Sequence, residues 1–205
     1  VLDYLQQESL EIDYVINGRP VLRSELVVRD GNAYRPAVNA DIVVTDDGTR
    51  VFGGVLYNMI ENDVVDYRHR RVAIDGTGYA FYADKTLLNG ILAAGTLKSM
   101  LTSVVTNIAH GISVDSGQVN GPTLPAQGFP FKTCGECLGQ LEVVSGYVTK
   151  FDFQQKVSMF APGSVGAPFA LDDTNSTILS LDVTKSLDNY ANTVWCSSAE
   201  PRSSR

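Results

Sequence analysis

The clearest hydrophobic pattern lies between Tyr34 and Leu56, where a β-branched run over 42–45 and a return strand over 51–56 stand on either side of Asp46-Asp47-Gly48-Thr49. An Asp-Gly pair between apolar runs predicts a tight hairpin, because the favoured short turns need a positive φ that Gly adopts without strain. Pro36 fixes its own φ and holds Arg35 extended, which sets the direction of entry into the first strand. Gly53-Gly54 inside the return strand predicts a bulge or a sharp bend, since glycine weakens a plain ladder. Upstream, Leu10, Ile12, Tyr14 and Ile16 share one face, and Leu22, Leu26 and Val28 the corresponding face of the next segment, around Asn17-Gly18. That period of two is the pattern of half-buried strands. Arg19-Pro20 makes the second strand start late or lie at an edge, and Asp30-Gly31-Asn32 marks a further turn. With residues 59–63 and a strand over 67–74, five or six strands and no helix are predicted up to Asp75, the pattern of a small antiparallel barrel or sandwich.

The period then changes. Leu97, Met100, Leu101, Val104, Val105 and Ile108 recur at helical spacing, which predicts a helix over 96–108 with Thr96 as N-cap, Gly111 as stop and Met100 in the core. Residues 119–130 carry Gly121, Pro122, Pro125, Gly128 and Pro130 and read as an extended crossing loop. Thr133 and Glu136 form a capping box for a second helix, with Cys137, Leu138, Leu141 and Val144 apolar, that ends near Ser145-Gly146. A hairpin follows, from 147–153 back through 156–160, with Tyr147, Thr149, Phe151 and Phe153 on one side. From Ser176 the β pattern resumes in strands too few for a barrel. The reading is a mainly β chain with an α+β insert: a first small antiparallel β-barrel over 1–83, an inserted α/β domain over 84–171, and the strands of an incomplete second barrel over 172–205.

Charge narrows the partners. In 205 residues, 16 Lys and Arg stand against 23 Asp and Glu, a net charge of −7 with a pI near 4.7, which argues against a chain that grips phosphate backbones. The most apolar stretch, 87–101, is broken by Asn89, Gly90, Gly95 and Lys98, so no membrane span is expected. Asp3, Glu8 and Glu11 stand where a signal peptide would be basic and then apolar, and the chain begins at Val1, as a piece of something longer would. The local exception is Arg68, His69, Arg70 and Arg71, a basic run that reads as a solvated strand face with nearby carboxylate partners, or as a subunit contact.

Taken in order, these pieces are similar to those of a known family. Tyr34-Arg35-Pro36, the hairpin with Gly48, residues 50–55, residues 72–79, the helix after Gly95-Thr96, the run from Thr133 to Tyr147, Leu181-Asp182-Val183 and residues 189–194 together resemble the tail-tip or baseplate hub proteins of tailed bacteriophages, the late-control-like hubs. Two positions depart from that pattern: Asn39-Ala40 replaces a glycine after the Pro36 bend, and Asp75-Gly76 replaces an aspartate-tyrosine pair. The resemblance implies two barrels with an α/β insert and a homotrimer whose six barrels imitate a six-fold ring. It implies a place at the virion tail tip, assembled in the host cytoplasm, between a ring of distal tail or tail tube protein and the tip. Tape measure, tip and spike proteins are further implied partners. An acidic channel would let DNA pass without sticking.

Candidate chemistry is sparse. Cys134-Gly135-Glu136-Cys137 at a helix N-terminus is the motif of a thiol-disulfide oxidoreductase, although no βαβ unit precedes it, and two buried small apolar side chains are the simpler reading. Cys196, His69 and His110 supply no second ligand pair for zinc. No Gly-x-Ser-x-Gly elbow is present, and Asp172-Asp173-Thr174-Asn175 lacks the Gly and distal Glu of a calcium loop. Trp195, the only tryptophan, has apolar neighbours, so a carbohydrate-binding tail-tip module is the less supported alternative. No catalytic, cofactor or metal residues are expected. Arg68, Arg70 and Arg71 are the candidate subunit contact, with an acidic neighbour.

Overall fold

The structure is a computed structural model that describes residues 9–14, 19–29, 36–66 and 69–164; at 28, 29, 62–66, 69 and 70 it describes the backbone alone. The chain divides into two compact units, Val1–Gly166 and Ala167–Arg205, and every described residue lies in the first. The strands expected after Ser176, together with Asp172, Asp173, Trp195, Cys196 and the Asn17-Gly18 turn, lie outside the described residues.

β1 (Glu11–Asp13), β2 (Val21–Arg29), β3 (Asp41–Asp46), β4 (Thr49–Asp66) and β5 (His69–Gly78) form one antiparallel sheet in the order β1-β2-β5-β4-β3, curled into a half-barrel. The 3–4 link is the predicted tight turn: Asp47 and Gly48 both have positive φ (45° and 78°), as a two-residue hairpin of the primed type requires. The bend after Pro36 is also as predicted. Asn39 takes φ 74° in place of glycine, its N–H donates to Leu56 C=O (2.7 Å), and Ala40 N–H donates back to Ala37 C=O (3.0 Å). β2 begins directly after Pro20, late as expected, but it lies inside the sheet and not at its edge.

Residues 59–63 are not a separate element. They belong to β4, whose 18 residues would reach about 60 Å if straight. Register shifts against β5 at Leu56/Asn58, Asn62/Val64 and Val64/Asp66 coil the strand instead. β5 likewise runs past Ile74. It keeps unbroken register with β2 through Asp75-Gly76 to Thr77, and Asn58 donates to the Asp75 carboxylate (2.9 Å). Leu22, Leu26, Phe52, Leu56, Val72 and Ile74 form the core of this sheet.

The second cluster of buried residues belongs to the α/β part. α1 (Ala80–Lys85) and β6 (Leu87–Leu92) were not expected; β7 (Gly95–Thr96) leads into α2 (Leu97–Val105), which Thr96 caps through the N–H of Ser99. The α2 stripe Leu97, Met100, Leu101, Val104 and Val105 is buried, Met100 included. His110 and Gly111, both in the left-handed region, turn the chain after Ile108. β8 (Ser113–Val114) and β9 (Thr123–Leu124) follow, and the supposed crossing loop ends in β10 (Gln127–Thr133), which pairs with β6 across a bulge at Pro130-Phe131. The capping box forms as predicted at α3 (Cys134–Ser145): Thr133 Oγ1 accepts from Glu136 N–H, and a Glu136 carboxylate oxygen accepts from Thr133 N–H. Gly146 in the left-handed region closes the helix. The hairpin of β11 (Val148–Phe151) and β12 (Lys156–Phe160) is as expected, and β12 also pairs in parallel with β8.

Gly53 and Gly54 sit in regular register opposite Val43 and Ile42, so neither is itself a bulge, and neither has positive φ. Their requirement is close approach. A Cβ on Gly53 would stand 2.3 Å from Phe153 C=O, and one on Gly54 would stand 2.1 Å from Thr77 C=O. Gly53→Val or Gly54→Val is therefore expected to cost more than about 2 kcal/mol, because backbone and not a flexible side-chain tip must move. Urea titration checks this, with Gly48→Ala, which meets nothing within 4 Å, as the variant that isolates the cost of positive φ.

Candidate functional site

Strand alternation makes β4 two-sided. Phe52 and Leu56 face the core of the sheet, whereas Val55 belongs to the core of the α/β part. Between them, on the Val55 face, the bare backbone of Gly53 receives the β11–β12 turn. Arg50 donates to Phe153 C=O (2.6 Å), and the Phe153 ring lies 6.1 Å from Tyr14 and 6.2 Å from Phe52. Tyr14 also donates to Val51 C=O, tying the segment after β1 to β4. The turn is rigid in itself: the Asp152 carboxylate accepts from the N–H of both Gln154 and Lys156 (2.7 Å each), and Gln155 adopts φ 63°. A second tie runs through Tyr82 on α1, which donates to Asn39 Oδ1 (3.0 Å) and stacks on His110 with ring centroids 3.9 Å apart. Burial and the charge of Asp41 raise the hydroxyl pKa values of Tyr79 and Tyr82.

Beside this seam opens a cleft of about 510 Å³. Tyr14, Gly53 and Gly78 belong to its sheet side, Leu138, Gly139 and Glu142 of α3 to another wall, and residues 148–153 to a third. The Arg19–Asp84 ion pair (3.3 Å) lies on its rim, and Asp84 fills the space where a Cβ on Gly135 would be. The Thr149 hydroxyl is buried and has no hydrogen-bond partner among the described residues. This cleft is barely legible in the sequence, because its walls come from stretches far apart in the chain. Its one local signal is the presence of glycines on a helix and a strand that do not need positive φ.

The residues singled out from sequence are placed as follows. Cys134 and Cys137 are both free and fully buried. Cys134 faces the Val104 carbonyl (Sγ–O 3.8 Å). Burial raises both thiol pKa values, that of Cys137 to about 11 with the neighbouring Cys134 adding to the effect. That shift is opposite to the one a thiolate nucleophile requires. Arg68 lies outside the described residues, and Arg70 is described in its backbone alone, opposite Val28 and Val64. Arg71 pairs with Glu25 of β2 at 3.9 Å, both half exposed. His69 is in the backbone of β5, far in sequence from His110. Among the described residues no group of three or more His, Cys, Asp or Glu is placed to hold a metal ion, and no helix is long and apolar enough to cross a membrane.

The thiols yield a pH dependence with a definite sign. A folded pKa raised above the ordinary value of 9.0 means that the native state holds the proton that the unfolded chain releases. Stability is therefore complete below about pH 9 and is expected to fall as pH rises from 9 through about 11. Urea midpoints at pH 7, 9 and 10.5 check this, and Cys137→Ala should flatten the slope while costing about 1–2 kcal/mol at neutral pH. A thiol reagent should label neither cysteine at pH 8 until the chain unfolds.

No protein-family model matches the sequence, and no curated protein is significantly similar to it. Solved structures do match in fold. The tail protein from Neisseria meningitidis MC58 superposes with a TM-score of 0.65 at 14% identity, over 88% of this chain and 56% of that one. The 43 kDa tail protein of prophage MuSo2 from Shewanella oneidensis gives 0.58 at 15% identity, over 69% and 47%. Prophage tail protein gp18 from Listeria monocytogenes EGD-e gives 0.57 at 12% identity, over 80% and 47%. The chain thus spans about half the length of each of these three proteins. The curled sheet with its α/β insert is the fold of prophage tail proteins.

Proposed function

We propose that this chain is a structural subunit of a phage tail, built into the tip or baseplate hub and acting without catalysis. The observation that carries the reading is the fold match to the N. meningitidis tail protein, which extends over most of this chain and so spans sheet and insert together. In the finer form of the proposal, three copies make a ring below a distal tail or tail tube protein, and DNA leaves through its centre. Two features support it. The net charge of −7 suits a conduit that must not hold phosphates. The sheet also ends in β3, whose outer edge is unpaired among the described residues, so a neighbouring copy can adjoin it.

Within this proposal Arg68, Arg70 and Arg71 contact an acidic neighbour. The Arg71–Glu25 pair is long and half exposed, a geometry worth little in stability, so Arg71 can exchange partners at small cost.

Reconstruction of the purified particle is expected to show this chain at the tail tip with three-fold symmetry, and intact tails that lack it would overturn the proposal. Arg71→Glu is expected to reduce incorporation into tails while leaving the melting temperature of the isolated chain within a few degrees, since a charge change at this exposed position shifts stability by about 0.5 kcal/mol.

A further inference from the structure

The small sheet of β8, β12 and β11 has two edges that are finished differently. Asp152 N–H donates to Lys156 C=O (2.9 Å), so in the unshifted register that follows, Lys150 and Val148 are the residues bonded to β12. Thr149 and Phe151 turn their N–H and C=O groups the other way. On β12 the complementary residues Val157 and Met159 are fully satisfied: Val157 C=O accepts from Asp115 N–H (2.8 Å), and the Gln118 amide both accepts from Met159 N–H (2.7 Å) and donates to Met159 C=O (2.9 Å). On β11 one group of four is met, where Thr149 N–H donates to Glu142 Oε1 (2.7 Å). The two carbonyls and the N–H of Phe151 have no hydrogen-bond partner among the described residues, and both residues line the cleft of about 510 Å³.

We propose that this cleft binds an extended, basic polypeptide segment of another chain, which adds a strand to β11. Main-chain groups in a row, two residues apart, are the pattern that an added strand matches along its length. The helix wall suits a close backbone, because Gly139 has open space where its Cβ would be. The orphan Thr149 hydroxyl asks for a polar group beside it. The charges select the sign of the ligand. Asp84 is paired with Arg19, which leaves Glu142 and Asp152 against Lys150 on the lining, in a chain whose net charge is −7. A lysine or arginine at the rim is favoured and an acidic residue is repelled. This goes beyond the tail role and does not require it.

The probe is the peptide acetyl-Lys-Val-Thr-Val-Lys-amide titrated into the isolated chain, followed by amide NMR. Saturable shifts at Thr149 and Phe151 are expected, with exchange of the Phe151 amide slowed about tenfold or more on saturation. Gly139→Leu fills the cleft from the helix and is expected to abolish binding, whereas Gly139→Ala preserves it. The acidic counterpart, with Glu in place of both Lys, is expected to bind about tenfold more weakly and serves as the test if Gly139→Leu does not fold. Any of three results overturns the proposal: no saturable binding at millimolar peptide, a Phe151 amide already slow to exchange in the free chain, or equal affinity for the acidic peptide. Absence of the chain from tail particles would end the tail role and leave this binding intact.

Discussion

The turn carrying Phe153 can rest on β4 only because residue 53 has no side chain, and the union of sheet and insert depends on that contact. Three interactions converge on the turn: a charge-assisted hydrogen bond from Arg50, ring contacts with Tyr14 and Phe52, and backbone against backbone at Gly53. A hydrogen bond to a charged donor contributes roughly 1.5–3 kcal/mol and the ring contacts about 0.5–1.5 kcal/mol each. None is large beside the burial of Val55 and its neighbours, but they decide which surfaces meet. The period of two does the rest, giving one face of β4 to each cluster of buried residues.

What could be read beforehand follows from how local its cause was. The Asp47-Gly48 turn, the Thr133/Glu136 capping box and the Gly146 stop are each set by residues within four positions of one another, and each appears as predicted. β6 and β10 escaped because LLNGIL and QGFPFKT contain the glycine and proline of loops; they are strands only because they pair with each other across more than thirty residues. The extent of β4 and β5 was missed for a related reason, since their ends are set by partners and not by composition. Gly53 and Gly54 were recognised as demanding, but what approaches them was not legible: the Phe153 carbonyl that excludes a Cβ at 53 lies a hundred positions away, and the Thr77 carbonyl that excludes one at 54 belongs to another strand.

The CxxC motif shows two physical effects in competition. A helix N-terminus favours a thiolate by about 0.3–1 kcal/mol, less than the 1.36 kcal/mol that one pKa unit represents. Complete burial works in the other direction and prevails at both Cys134 and Cys137. A motif that is defined by spacing alone says nothing of the dielectric around it, and here the surroundings determine the protonation state. The same separation applies to the basic strand, where sequence gives the charges and the fold gives Arg71 a partner across the β2–β5 ladder.

Gln118 has a wider meaning. Its amide meets Met159 with one N–H donor and its carbonyl acceptor, as a peptide unit would, and its second N–H donates to Val119 C=O. One side chain thereby does the work of an added strand, so the sheet margin is sealed at a point and not along a line. The connection from β8 to β9 is consequently released from any duty to run beside β12. It is free to lengthen, shorten or change course over evolutionary time, provided that it brings one carboxamide back to the same place.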